Sequence, residues 1–437
     1  MEIQNYEPSR ENDTLVRRTR LAEAAEGKRL LEWSDLETLI YYSHCLTPQG
    51  KQVAIWSIAI LKELLKDRFL VNTQQAPEIL TTYPFFTLDF FPGVNDVPRV
   101  YADVFRFALQ LYLLQSLQRF GGILRSLRMQ LQATQWYHTL LQFEVASLAQ
   151  KEGWQLQLEL PYNNGTNNKS DVCLSKGETQ LLIDAVCVRL SESGRKKQTY
   201  SNWLTHMSIQ YGISITGRIG EPWLDGRKEE QQWVQKVQRT LFSVYQSGLS
   251  AIVYGANGGS LECSRAAFGK TGVATIHDAN GHEDIWDRMR TALHRKNEQA
   301  FSNSEWLRMG EYAGLWHWSR YRTMTLEEKL NNLSPIIQRA LESSPHIAGV
   351  ILSPGISPVY HPEVQTPCKF SSVDGSVALQ CSLPGYCTRE SIIIPRKGSD
   401  AEALELAALY EHEHTWLDWA LQQAGHPPFH TLVQQLP

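Results

Sequence analysis

The sequence predicts an α/β fold. It divides into a helical N-terminal domain over residues 1–130, a central mixed sheet flanked by helices over 131–300, and a smaller mixed C-terminal region over 301–437. Three observations carry this. Apolar residues recur at helical spacing through the first 150 residues. After Gly153 the pattern changes to short runs of strand character. Helices and strands then alternate through the rest of the chain.

Residues 1 to about 30 are polar and charged, an arm or a first helix. Ser34 is placed to cap the helix DLETLIYYSHCL, with Glu37 as its capping-box partner. A second helix, GKQVAIWSIAILKELLKD, follows a Pro-Gln-Gly turn. After a loop rich in Pro and aromatics, residues 100–150 read as two more helices, with Gly121-Gly122 as the break. WQLQLEL alternates like a half-buried strand, whereas TQLLIDAVCVRL is nearly continuous and reads as a central one. A helix is expected over about 229–247, leading into the strand SAIVYGA. The strand GVATIHD and the helix HEDIWDRMRTALHRKNEQAF come next. The last third gives the helix TLEEKLNNLSPIIQRALESS, the strands HIAGVILSP and ESIIIPRK, and one long terminal helix.

Composition narrows the function classes. A chain of 437 residues, 42% hydrophobic and 20% charged, is globular rather than disordered. At a net charge of −4, nucleic-acid contact must come from local basic patches. The apolar runs are too short to span a membrane, so no membrane partner is expected. The first 20 residues have no apolar stretch of the leader type, and the seven cysteines are odd in number and scattered. Both point to a reducing, cytoplasmic setting. Thirteen Trp and 17 Tyr suit partner surfaces in a complex or a homo-oligomer.

Asp184, inside LLIDAVCV, is the least comfortable residue of the sequence, because a carboxylate is costly to bury in an apolar strand. Asp171 opens the preceding strand. The tight turn Lys176-Gly177-Glu178 lets a hairpin bring the two acids side by side. Hard oxygen ligands on adjacent strands suit Mg2+ or Mn2+.

At these residues the segment resembles the PD-(D/E)xK nucleases, the restriction-endonuclease-like fold. The order of helix, three strands, helix and strand, with Glu144 in QFEVASLAQKEGW, Asp171 in KSDVCL and Asp184 in LLIDAV, is similar to that family over about residues 136–256. The resemblance implies a metal-dependent DNA endonuclease of a defence or mobile-element system. Glu144, Asp171 and Asp184 would be its metal ligands, and DNA rather than RNA its partner. The family places a Lys two residues after the second acid, where this chain has Val186. Candidates to replace it are Lys176, Arg189, Lys196 and Lys197, the last two foremost, as catalytic residues beside Asp171 and Asp184. Without such a cation the fold would serve as a non-catalytic nucleic-acid-binding or scaffold subunit. If the resemblance is mistaken, Glu144 is a solvated helix residue, Asp171 caps a turn and Asp184 is a salt-bridged core acid.

Other features carry less. Arg125 and Arg128, spaced i, i+3, and Arg195-Lys196-Lys197 are candidate phosphate contacts. Arg17, Arg18, Arg20 and Arg119 form further clusters. Gly269-Lys270-Thr271 lacks the upstream glycine of a phosphate loop, Ser264 standing there instead, and reads as an ordinary loop. His361, Cys368, Cys381 and Cys387 have loose spacing, so structural zinc is not expected and buried thiols are. His412, Glu413 and His414 read as a solvated helix face.

Overall fold

A computed structural model describes residues 32–75, 98–129, 133–161, 169–188, 200–255 (except 202, 206, 210 and 221–226), 258–267, 272–277, 282–299, 305–311, 324–353, 356–357, 368–384 and 387–434. The predicted α/β class is what the chain adopts: a mostly helical N-terminal part, a C-terminal sheet region and two mixed sheets. The chain divides into two compact units. One comprises residues 1–187, 292–315 and 321–437, the other residues 188–291 and 316–320.

The first unit begins with helices α1 (Trp33–Tyr42), α2 (Pro48–Gln75), α3 (Pro98–Leu114), α4 (Phe120–Met129) and α5 (Ala133–Lys151). The cap of α1 is Glu32 rather than Ser34. The Glu32 amide donates to Asp35 at 2.9 Å, and Ser34 lies within the helix. Residues 98–151 hold three helices where two were expected. The break after α3 falls at residues 115–119, where Arg119 takes φ 71°, and Gly121-Gly122 lie inside α4.

Strands β1 (Gln155–Pro161), β2 (Lys169–Lys176) and β3 (Thr179–Val188) form an antiparallel meander. Lys176 pairs with Thr179, so the β2–β3 turn has two residues, and Gly177 supplies the positive φ of 61° that such a turn needs. Leu181 to Val186 are all buried, as in a strand covered on both faces.

The second unit holds β4 (Ile213–Arg218), α6 (Arg227–Ser247), β5 (Ala251–Tyr254), β6 (Ser260–Arg265) and β7 (Ala274–Ile276). Its strand order is β5-β6-β4-β7. Both β4 and β5 run antiparallel to β6 between them, so β4–α6–β5 is a split βαβ. Trp233, Val237, Leu241 and Val244 of α6 close one face of the sheet over Ile213, Ile215, Val253, Leu261 and Cys263.

Helix α7 (His282–Gln299) leads into β8 (Glu305–Glu311), α8 (Leu326–Glu342), β9 (Ile347–Ser353), β10 (Ile356–Ser357), β11 (Cys368–Val373), β12 (Ser376–Leu383) and β13 (Cys387–Pro395). The terminal helical stretch breaks at His412 into α9 (Asp400–Glu411) and α10 (Glu413–Gln423), before a single 3-10 turn over Phe429–Thr431. The large sheet of the first unit runs β1-β2-β3-β8-β9-β13-β12-β11, with β10 beside β13.

This path corrects the expected strand succession. The neighbour of β3 is β8, 117 positions beyond the end of β3 by residue number, and not the strand at Ala251–Tyr254, which belongs to the other unit. The boundaries expected near residues 130 and 300 do not separate cores either. One apolar cluster runs from Trp33 to Val433, because α1–α5, α9 and α10 bury their faces together with the strands.

Gly349 in β9 shows why this sheet is sequence-specific. A Cβ there would stand 2.3 Å from Trp306 Cζ3 and 2.8 Å from the Ile394 carbonyl oxygen. Only glycine lets the fully buried Trp306 lie across the strand.

Candidate active site

The β2–β3 register pairs Val172 with Ile183, so its continuation sets Asp171 opposite Asp184. Each carboxylate takes a backbone amide of the other strand. The Asp171 amide donates to Asp184 Oδ1 at 3.0 Å, and the Ala185 amide donates to Asp171 Oδ2 at 2.8 Å. Such charge-assisted bonds hold both acids rigidly where the ladder opens.

Two helices deliver the remaining groups. On α5, His138 and Gln142 share a face at i, i+4. His138 Nε2 lies 3.4 Å from Asp171 Oδ2, and Gln142 Nε2 donates to the Asp171 carbonyl at 2.9 Å. On α7, Lys296 Nζ lies 2.5 Å from Asp184 Oδ2, with side chains only 16% and 3% exposed. The neighbouring Asn297 Oδ1 accepts from the His346 amide at 2.9 Å, tying this end of α7 to the start of β9.

The electrostatics separate the two acids. At Asp171 burial raises the pKa, but the charge and hydrogen bond of His138, the charge of Lys296 and the Ala185 amide outweigh it. The carboxyl is held below the usual aspartate value. At Asp184 burial and then the Asp171 charge prevail over Lys296 and the Asp171 amide, and the pKa is raised. Burial lowers both Lys296 and His138. The nearby acids outweigh it in each, so both are raised and keep their protons more tightly. The two carboxyl groups thus face Lys296 and His138 in a mostly buried cluster, with the buried Glu305 adding its field at Lys296.

Glu144 is not part of this cluster. It lies two residues beyond Gln142, about 200° round the helix, and faces the other way. Its carboxylate meets Arg389 of β13, which also pairs with Glu413 at 2.5 Å, and Glu413 pairs in turn with Arg106 at 3.3 Å. The Arg106 guanidinium sits over the Trp416 ring at 5.5 Å. Burial raises the pKa of Asp103 in the same neighbourhood, against the charges of Arg99, Arg106 and Arg389. Glu144 and Glu413 therefore belong to a buried ionic network. The expected solvated face at 412–414 holds only for His412 and His414, since Glu413 is 1% exposed.

The other expected groups fall elsewhere. Lys176 donates to the Glu152 carbonyl and lies over the Trp154 ring. Arg128 donates to the Leu64 carbonyl at 2.7 Å, and Arg125 is exposed. Arg189, Arg195, Lys196, Lys197 and His361 lie outside the described residues, as do Arg17, Arg18, Arg20 and Gly269-Lys270-Thr271. Cys368 and Cys381 are register partners on β11 and β12 and form a disulfide, so neither is a free thiol or a zinc ligand. Cys45, Cys173 and Cys263 are buried and lie outside that disulfide.

Lys296, His138 and Gln142 were missed from sequence. A signal for Lys296 existed. With Met289 and Leu293, both buried, it falls at i, i+4, i+7 on the apolar face of α7.

Two carboxylates, Asp171 and Asp184, are what the described residues bring together here, a set that fits an ion which keeps most of its waters and completes its shell with a substrate phosphate, as Mg2+ does. Among the described residues no group of three His, Cys, Asp or Glu side chains forms a closed metal cage. Also among them, no helix is long and apolar enough to cross a membrane. Compared with models of protein families, with curated proteins and with solved structures, the chain matches none.

Proposed function

We propose that the first unit cleaves phosphodiester bonds in DNA with a divalent metal ion, as a divergent PD-(D/E)xK nuclease. The observation that carries this is Lys296 Nζ on Asp184 Oδ2 with Asp171 across the hairpin. It supplies the cation that Val186 cannot. Support also comes from element order. Helix α5, strands β1–β3, the part of helix α7 from residue 292 on and strand β8 follow one another in the first unit, once residues 188–291 are read as an insertion.

Asp171 and Asp184 would hold Mg2+ or Mn2+, which polarises the phosphoryl oxygen and makes water a nucleophile near neutral pH. The residues themselves do the rest. The two backbone amides fix the carboxylate positions before substrate arrives. Asp171, held ionised, is the permanent anionic ligand. Lys296 keeps its proton and balances the charge that develops on the phosphate. His138 and Gln142 hold Asp171 from the helix side.

A second reading is favoured by Val186 and by the loss of Glu144 to Arg389. The cluster would then be a structural ion quartet, in a protein that binds nucleic acid or partner proteins without cutting. Incubating the full chain with labelled double-stranded and single-stranded DNA plus Mg2+ or Mn2+, beside Asp184→Asn, separates the two. Cleavage by the wild type alone supports the nuclease. Equal inertness of both proteins on every substrate sinks it.

A further inference from the structure

We propose that the open face of the four-stranded sheet in the second unit binds single-stranded DNA. The inference rests on the reading of the chain as one that acts on DNA, and names where that strand is gripped.

Charge is the first ground. Residues 188–291 and 316–320 hold 14 Lys and Arg against 10 Asp and Glu, whereas the rest of the chain holds 28 against 36. The second unit is thus at +4, against −8 for the first. An acidic chain whose net positive charge falls on one unit draws a polyanion toward that unit.

The sheet face is the second ground. Helix α6 closes the side on which Val253 and Leu261 point. By strand alternation Tyr254 and Ile252 point to the other side, and they remain 66% and 52% exposed. An exposed tyrosine on a sheet face that no described element covers offers a ring for a base to stack on.

Register supplies the third ground. Tyr254 pairs with Ser260, and Ser260 pairs with Arg218, so one cross-strand row reads Tyr254, Ser260, Arg218. At about 5 Å per strand, the Arg218 backbone lies roughly 10 Å from that of Tyr254, with only a small serine between. On the outer edge Lys236 Nζ donates to the Tyr254 carbonyl at 2.8 Å. Arg218 thus shares the face of the ring, and Lys236, rising from α6 on the closed side, reaches the edge of β5, so phosphates can follow the sheet edge and Arg218 while a base covers the ring. Glu262 faces the same way in the next row. It repels phosphate and can accept from a base amino group, which confines the backbone to the Tyr254 row. A duplex keeps its base faces stacked inside, so only an unpaired strand can use this ring.

The test is fluorescence anisotropy of a labelled oligothymidylate with the full chain in EDTA, where no metal-dependent cleavage occurs. Tyr254→Ala is expected to weaken binding about tenfold, and Tyr254→Phe to retain it. Arg218→Ala and Lys236→Ala should each lower the salt slope by about 0.7. These side chains are on the surface, and unchanged circular dichroism and thermal melting will show that the variants fold. Binding by Tyr254→Ala within about twofold of wild type overturns the proposal, since one stacked base is worth more than that. So does tighter binding of the matched RNA or duplex, and so does no binding at all, which would leave the face to a protein partner. Cleavage that depends on Asp184 while Tyr254→Ala binds normally would remove this inference and leave the nuclease reading intact. Tyr254-dependent binding without any cleavage would do the reverse.

Discussion

Replacing Lys296 with Met leaves Asp184 buried beside Asp171 with no cation in contact among the described residues. Charge centres about 4 Å apart, at an effective dielectric near 20, attract by about 4 kcal/mol. Asp184 can escape part of that loss by taking up a proton. At pH 7 this costs at most about 4 kcal/mol, some three pKa units at about 1.4 each, and less here because its pKa is already raised. Removing one member of a buried pair typically costs about 3–5 kcal/mol. Lys296→Met is therefore expected to destabilise the chain by about 3 kcal/mol at pH 7. Asp184→Asn should cost less, because Lys296 is the more exposed partner and retains Asp171 and Glu305. The double variant should then be more stable than the sum of the singles by at least about 1.5 kcal/mol.

Urea unfolding at constant slope measures each value. The sign of the pH effect is fixed. In Lys296→Met the folded pKa of Asp184 lies further above the unfolded one, so the deficit is present above the unfolded value and fades as pH falls. Between pH 7 and 5 it should shrink by up to about 2.7 kcal/mol. Additive single variants, or a deficit unchanged by pH, would refute the pairing and with it the electrostatic description of the site.

Glu144→Gln removes the carboxylate that Arg389 meets and leaves Arg106 and Arg389 sharing Glu413; a loss of about 3 kcal/mol is expected in urea unfolding. Mn2+ affinity measured calorimetrically should be unchanged in Glu144→Gln but reduced in Asp171→Asn. Gly349→Ala forces a methyl against Trp306 and the Ile394 carbonyl, and should cost about 1–3 kcal/mol, read as a lowered melting temperature. His138 has its pKa raised above the ordinary 6.5, so its share of stability is complete below pH 6.5 and is lost as pH rises through the folded value. His138→Gln should flatten that part of the stability–pH profile.

The fold class was legible because periodicity is local. Helical spacing marked the N-terminal part as helical, though with four helices where five form, and the unbroken apolar run of β3 marked a strand with both faces covered. The pairing of Asp171 with Asp184 was also legible, through the two-residue turn at Gly177. What sequence could not carry was long-range. Strand β8 reaches β3 across an inserted unit, and nothing in its composition tells its neighbour from the nearer β5. Lys296 stands 112 positions beyond Asp184, and only its place on the apolar face of α7 set it apart from Arg295. Glu144 and Glu413 failed for a related reason. A helical acid looks the same in sequence whether solvent or a buried arginine receives it, and here Arg389 of β13 decided.

The central claim, that Lys296 provides the cation Val186 lacks, is tested most directly by one rate. It is the Mn2+-dependent cleavage of labelled DNA by Lys296→Met relative to wild type, with Lys296→Arg alongside to keep the charge. A fall of at least about 10²-fold in Lys296→Met is expected, since a group that stabilises developing charge typically supplies that much, and Lys296→Arg should retain part of the rate. Cleavage by Lys296→Met at the wild-type rate would contradict the claim.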